Sequence, residues 1–148
     1  MNDLKKKDFE IIKHLRMNSR QTLTQISKKT HIPISTLYDK LRLYEKEAIL
    51  KHTSIIDFDK LGYSTRTQIY LKTNLENRHK LQNFLLTHEN INNMFLLTND
   101  YDFCLDCVFE DSRSVRDFID YLDNEFCIEK QQVLFVAKEI VAEKFLAS

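Results

Sequence analysis

The residues best suited to chemistry lie in one short run, Ser35-Thr36-Leu37-Tyr38-Asp39-Lys40-Leu41-Arg42. If the run is helical with Leu37 and Leu41 turned inward, its outer face presents Ser35, Thr36, Tyr38, Asp39, Lys40 and Arg42. Such groups can read a polyanionic duplex. Lys40 and Arg42 donate to guanine or phosphate, Thr36 and Tyr38 donate, accept or touch a thymine methyl, and Asp39 accepts from cytosine. Upstream, Ser19, Arg20, Thr22, Thr24 and Gln25 cluster where a helix begins, and helix N-termini meet phosphate well. Lys51 and His52 follow downstream. Each of these is unremarkable as a solvated side chain, but together they point to double-stranded DNA.

Other chemistries find less support. The five histidines, His14, His31, His52, His79 and His88, lie in at least four elements. His79 and His88 are nine apart, not the three or four that bring metal ligands together. Cys104 and Cys107 spell C-x-x-C but sit in an alternating run, where a spacing of three puts them on opposite faces. An odd cysteine count gives no disulfide framework. Asp102 and Asp106 on one strand would stand about 13 Å apart, too far for a paired-carboxylate mechanism, though they could hold an amine. With one glycine in the chain there is no G-x-S-x-G, phosphate loop or nucleotide turn. No metal, cofactor or catalytic group is expected.

The elements that position these residues follow from periodicity. Phe9, Ile12 and Leu15 mark a helix from Lys5 to Met17. Thr22 or Thr24 caps a second helix carrying Ile26, and His31-Ile32-Pro33 breaks it. Ser35 is a good N-cap for a third helix, with Ile34, Leu37, Leu41 and Tyr44 as one buried face ending near Glu47. Ile49 to Asp57 suits a small hairpin. Two short helices joined by a tight turn and followed by a hairpin make a winged helix-turn-helix.

The second half changes character. Tyr63–Thr73 reads as a strand, Glu76–His88 as a helix and Ile91–Thr98 as a strand. After the turn at Asn99-Asp100, Tyr101–Phe109 is the clearest strand. A helix carries Val115, Phe118, Ile119 and Leu122, and Val133–Val141 is a last strand. Phe84, Phe95, Phe103, Phe109, Phe118 and Phe126 are the expected aromatic core. The order β-α-β-β-α-β is ferredoxin-like, giving an α+β chain. Both helices cover one sheet face, and self-association is a natural cover for the other. Gly62 marks the domain boundary: residues 1–61 form the helix-turn-helix with its linker, and 62–148 the sheet domain.

Charge divides near the same place. Residues 1–60 hold 13 Lys/Arg against 8 Asp/Glu, a net of +5, and residues 61–148 hold 9 against 14, a net of −5. Only the first half is suited to a polyanion. No apolar run reaches the roughly 18 residues of a membrane span, and the polar stretch Met1–Lys7 leads into no signal-peptide core. A soluble, cytoplasmic protein without a membrane partner is expected.

Taken in order, these segments resemble the Lrp/AsnC (feast/famine) family of transcription regulators. The resemblance is carried by Asp8, Ile11-Ile12, Leu15 and Asn18-Ser19-Arg20, by Leu23–Ile26, and by Ile34-Ser35-Thr36-Leu37, Leu41, Leu43, Glu45 and Glu47–Leu50. It continues through Ile55-Ile56-Asp57, Leu61-Gly62 and Asn99-Asp100-Tyr101-Asp102, the last similar to the family's G-D-Y-D turn. The resemblance implies a sequence-specific DNA-binding regulator that dimerises through its sheet domain, with further assembly to octamers. It implies a small effector such as an amino acid, bound near Asp100, Tyr101, Asp102, Gln132, Leu134 and Val136. Lys40 stands where the family usually has Arg, and a point charge replaces a bidentate fork. His31 and Ala48 stand where turn glycines are usual; His tolerates positive φ better than Ala. Asn99 replaces the glycine of the G-D-Y-D turn. Proteins resembling the family also decarboxylate modified tetrapyrroles. That reading needs His and Arg to converge on a sheet-domain pocket, whereas His79 and His88 fall on a helix. A ligand-sensing module without DNA binding is a third reading, against which the basic outer face of the third helix argues.

Overall fold

A computed structural model of the chain describes residues 6–147. The chain divides into two units. The first runs through Ile55 and takes back the residues from Ile140 on, and the second is Ile56–Glu139. The division falls ahead of Gly62, which instead ends a short 3-10 turn, Asp59–Leu61, at φ 90°.

In the first unit α1 is Lys6–Met17, α2 Leu23–Thr30 and α3 Ile34–Glu47. Lys5, the expected start of α1, lies outside the described residues. The core is Ile11, Ile26, Ile32, Leu37 and Tyr44, with Ile12, Leu15, Leu23 and Ile49 packed against it. Two expectations shift. Phe9 is 44 % exposed, and the inward stripe of α1 runs Asp8, Ile11 and Leu15. Ile34, expected on the buried face of α3, is 48 % exposed. Thr22 caps α2 through a reciprocal box with Gln25: its hydroxyl accepts the Gln25 N–H at 3.2 Å, and the Gln25 side chain accepts the Thr22 N–H at 3.0 Å. α3 begins after Pro33 with no side-chain cap, so Ser35 lies inside the helix instead of capping it. The fixed φ of Pro33 makes the sharp entry that Ser35 was expected to supply.

The turns absorb the substitutions. His31 takes φ 56°, the left-handed conformation that ends α2. Ala48 sits at φ −134°, so glycine is not required there. The hairpin expected over Ile49–Asp57 does not form; residues 49–57 contain no strand. A lone two-stranded ribbon is marginal in water, and nothing in this run supplies the Asn-Gly or Gly-X turn that would close it.

The second unit is β1 Thr65–Thr73, α4 Leu75–Thr87, β2 Ile91–Leu96, β3 Phe103–Phe109, α5 Ser112–Glu125 and β4 Ile128–Phe135. The sheet order is β2-β3-β1-β4 with every pair antiparallel, the ferredoxin-like arrangement. β4 starts five residues before the expected Val133 and ends at Phe135, before Val141. Its first half, Glu129-Lys130-Gln131-Gln132, carries no apolar signal; pairing with β1 makes it a strand. Ile69, Leu71, Phe103, Leu105, Cys107 and Phe109 face Leu81 and Leu85 of α4 and Val115, Phe118 and Leu122 of α5. Phe95 leaves the expected aromatic core and is 56 % exposed. Cys107 is buried among these residues and burial pushes its thiol up to about 12, whereas Cys104 lies on the other face.

His88 completes the aromatic layer, 5.4 Å from the Phe84 ring and 4.6 Å from that of Phe118. Its Nδ1 accepts the Asn90 N–H at 3.3 Å. Burial holds its pKa below the ordinary value, only partly offset by Glu89. The unfolded chain therefore binds the proton more readily, and stability falls as pH drops below about 6.5 toward the depressed folded value. Thermal melting of this unit should show a lower midpoint at pH 5 than at pH 7.5, and His88→Leu should flatten that part of the profile. An unchanged profile in the variant would remove His88 as its source.

Candidate functional site

Two surfaces gather the expected residues. On α3 each residue advances about 100° around the axis. With Leu37 inward, Arg42 lies about 140° away and Tyr38 about 100°, and Ser35, Asp39 and Lys46 complete the outer face. All five are exposed. The Arg42 guanidinium sits 5.8 Å over the Tyr38 ring, which restrains both side chains before any ligand arrives. Thr36 is exposed on the flank, and Arg20, Thr24 and Lys51 are exposed elsewhere in the unit. Thr22 and Gln25 are engaged in capping α2.

Lys40 is different. It lies only about 60° from Leu37, its side chain is 37 % exposed, and its ammonium is 2.7 Å from Oδ1 of Asp8 in α1. Asp8 is buried and also accepts the Tyr44 hydroxyl. Burial and the Asp8 carboxylate hold the Tyr44 hydroxyl protonated well above its ordinary range. Lys40 is three residues after Leu37 and four before Tyr44, so spacing places it on the edge of the buried face, but the carboxylate that draws it inward comes from another helix.

The second surface is at one corner of the sheet. Alternate residues Arg66, Gln68, Tyr70 and Lys72 of β1 lie on the face away from the helices, beside Cys104, Asp106 and Val108 of β3 and Lys130, Gln132 and Leu134 of β4. Asp100 pairs with Lys130 and approaches Lys72 at 4.0 Å. Hydrogen bonding and charge from Lys130 hold its carboxyl below the ordinary range. The Tyr101 ring meets Tyr70 at 5.6 Å, and Lys130 Nζ lies 4.7 Å over it. Gln132 pairs with Tyr70, so Asp100, Tyr101 and Gln132 share this corner. Leu134 and Val136 do not: Leu134 pairs with Gln68, and Val136 lies past the end of β4, donating its N–H to Arg66.

Asp102 is buried and committed. Its Oδ2 accepts the Thr73 N–H at 2.9 Å and its Oδ1 pairs with Arg78 of α4. It forms one wall of an open cleft of about 530 Å³ lined by Lys72, Thr73, Asn74, Arg78 and Glu129. In the turn, Asn99 needs no positive φ; its side-chain oxygen accepts the Tyr101 N–H at 3.5 Å. The sequence motifs do not single out Tyr70, Lys72, Arg78 or Lys130. Parity along β1 groups Tyr70 with Lys72, but Lys130 joins them only because β4 begins at Ile128 and pairs with β1. Among the described residues no group of His, Cys, Asp and Glu is placed to hold a metal ion.

A family model for the Lrp/AsnC ligand binding domain matches residues 65–145. The chain belongs to the Lrp/AsnC family. HTH-type transcriptional regulator FL11 of Pyrococcus horikoshii is 30 % identical over 132 residues, covering 88 % of this chain and 87 % of the relative. The protein of the same name from Pyrococcus furiosus is 26 % identical, covering 93 % and 90 %. Among solved structures, a transcriptional regulator of Neisseria meningitidis in complex with L-Met superposes with TM-score 0.87 at 21 % identity, covering 95 % of this chain and 94 % of that one. LrpC of B. subtilis does so with TM-score 0.84 at 20 % identity, covering 94 % and 98 %. This Lrp/AsnC chain is a helix-turn-helix transcriptional regulator with a ferredoxin-like sheet domain. Among the described residues no helix is long and apolar enough to cross a membrane.

Proposed function

We propose that this Lrp/AsnC protein acts in the cytoplasm as a dimer or larger assembly, reads a roughly palindromic operator with α3, and is tuned by a small zwitterionic effector such as an amino acid. The exposed stripe Ser35, Tyr38 and Arg42, with Arg42 restrained over Tyr38, carries the DNA reading. A two-fold assembly would present two such helices to two half-sites. The sheet face away from the helices, with Phe95 56 % and Leu134 43 % exposed, offers a surface for a second copy. The corner at Asp100 and Tyr101, with Lys72, Lys130 and the neighbouring cleft, offers a carboxylate and ammoniums to an effector bearing both charges. The named relatives are transcriptional regulators, which directs the reading away from catalysis.

The test is binding of the purified protein to its own upstream DNA, titrated in salt against unrelated DNA. Preference for its own promoter is expected, with affinity falling steeply as salt rises through counterion release. Arg42→Ala should weaken specific binding by about 1–3 kcal/mol, roughly 5- to 150-fold, without unfolding the unit. Wild-type affinity in that variant would remove Arg42 from the interface. An amino-acid panel added to the same assay then tests the effector corner.

A further inference from the structure

The two polar side chains on the inward side of α3, Lys40 and Tyr44, are one helical turn apart and grip the same carboxylate oxygen, Oδ1 of Asp8 in the first turn of α1. The Asp8 side chain is 3 % exposed and Tyr44 is 2 % exposed. The other contacts of α3 here, through Leu37 and Leu41, are apolar and carry little directional preference. A helix seated only on apolar contacts can roll. A roll of about 20° moves side chains about 5–6 Å from the axis by roughly 2 Å, enough to break a hydrogen bond. Two bonds converging on one buried atom forbid that roll, and the direction in which Tyr38 and Arg42 point depends on it.

We propose that Lys40 is a positioning residue: anchored with Tyr44 on Asp8, it sets the roll of α3 and makes no phosphate or base contact. The proposal rests on α3 being the DNA-reading helix. Because the Lys40 charge is already neutralised by Asp8 at 2.7 Å, its removal releases no counterion from DNA.

The experiment compares specific and non-specific DNA affinity across salt for the full-length wild type, Lys40→Met, Lys40→Arg and Asp8→Leu. Lys40→Met should lose tenfold or more in specific affinity while non-specific binding and the slope of log K against log salt stay as in wild type. Lys40→Arg, which still reaches Asp8, should recover most of the loss. Asp8→Leu, which removes the oxygen that Lys40 and Tyr44 share, should also weaken specific binding, although it removes a negative charge from a DNA-binding unit. A slope reduced by about 0.9 in Lys40→Met, the signature of one lost phosphate contact, would overturn the proposal. So would unchanged or tighter binding by Asp8→Leu, a near-isosteric change that removes the acceptor oxygen and decides the matter even if Lys40→Met does not fold. Absence of specific binding by the wild type would instead sink the DNA reading itself.

Discussion

Asp106→Ala will lower the stability of the sheet unit by about 3–5 kcal/mol, the cost of leaving one member of a largely buried ion pair behind. The Asp106 side chain is 11 % exposed and Arg66 25 %. Its two oxygens accept Arg66 Nε at 2.7 Å and a second guanidinium nitrogen at 2.8 Å, with Asn92 at 2.8 Å and Asn93 at 3.0 Å. Arg66 keeps Glu139 at 3.0 Å, a more exposed partner. For a unit of this size the loss corresponds to a melting midpoint lower by on the order of 15 °C or more. Arg66→Met combined with Asp106→Leu should recover most of it, because replacing both charges with apolar groups removes the desolvation cost along with the attraction. A loss under about 1 kcal/mol in the single variant would show that the network is solvated like an ordinary surface pair.

The same carboxylate sets an acid limit. Burial alone would raise its pKa, but hydrogen bonds from Arg66, Asn92 and Asn93, with the charge of Arg66, outweigh burial and hold it below the ordinary range. The folded form therefore binds the proton less readily than the unfolded chain. Its stabilisation is complete above the unfolded value of about 3.9 and is lost as pH falls through the depressed folded value. Acid unfolding of the wild type should steepen below about pH 4, and the double variant should lose that component.

Asp102→Ala will cost about 2–4 kcal/mol, from one hydrogen bond to the buried Thr73 N–H and one charge-assisted bond to Arg78. The lower end reflects the 41 % exposure of the Arg78 side chain, which can turn to water. Because Asp102 ties the turn carrying Asp100 and Tyr101 to the end of β1 and to α4, any effector response will fall with stability. Asp100→Asn separates the two effects. Asp100 is exposed and, among the described residues, held only by Lys130 and Lys72, so this change should alter effector response with no measurable change in melting. If Asp102→Ala melts like wild type, the carboxylate does not tie the turn to β1 and α4. If Asp100→Asn responds like wild type, Asp100 is not part of the effector contact.

Much of this molecule was legible residue by residue. Of the two candidate caps Thr22 and Thr24, Thr22 caps α2. Phe103, Leu105, Cys107 and Phe109 alternate on paper and share the core face in space. His31 stands where a left-handed residue was required and takes φ 56°. Tyr38 and Arg42 follow from the buried positions Leu37 and Tyr44, since a helix places residues four apart on one side. These readings succeeded because capping, alternation and helical spacing act over two to four residues, within reach of any local pattern.

What the sequence by itself determined was therefore the order of elements, most of their inward faces, the polar outer face of α3, and a chain too poor in glycine for a phosphate or nucleophile loop. Only the tertiary structure decided where the polar groups went. Asp8 and Tyr44 are 36 residues apart, Arg66 and Asp106 40, and Arg78 and Asp102 24. No local pattern links such pairs, because each is set by which elements pack together. Lys40 illustrates the point: the same ammonium could lie along a phosphate backbone or turn inward, and a buried carboxylate contributed by another helix drew it inward. β4 makes it again, since a polar edge strand has no periodic signal of its own and forms because β1 offers it a ladder of backbone hydrogen bonds.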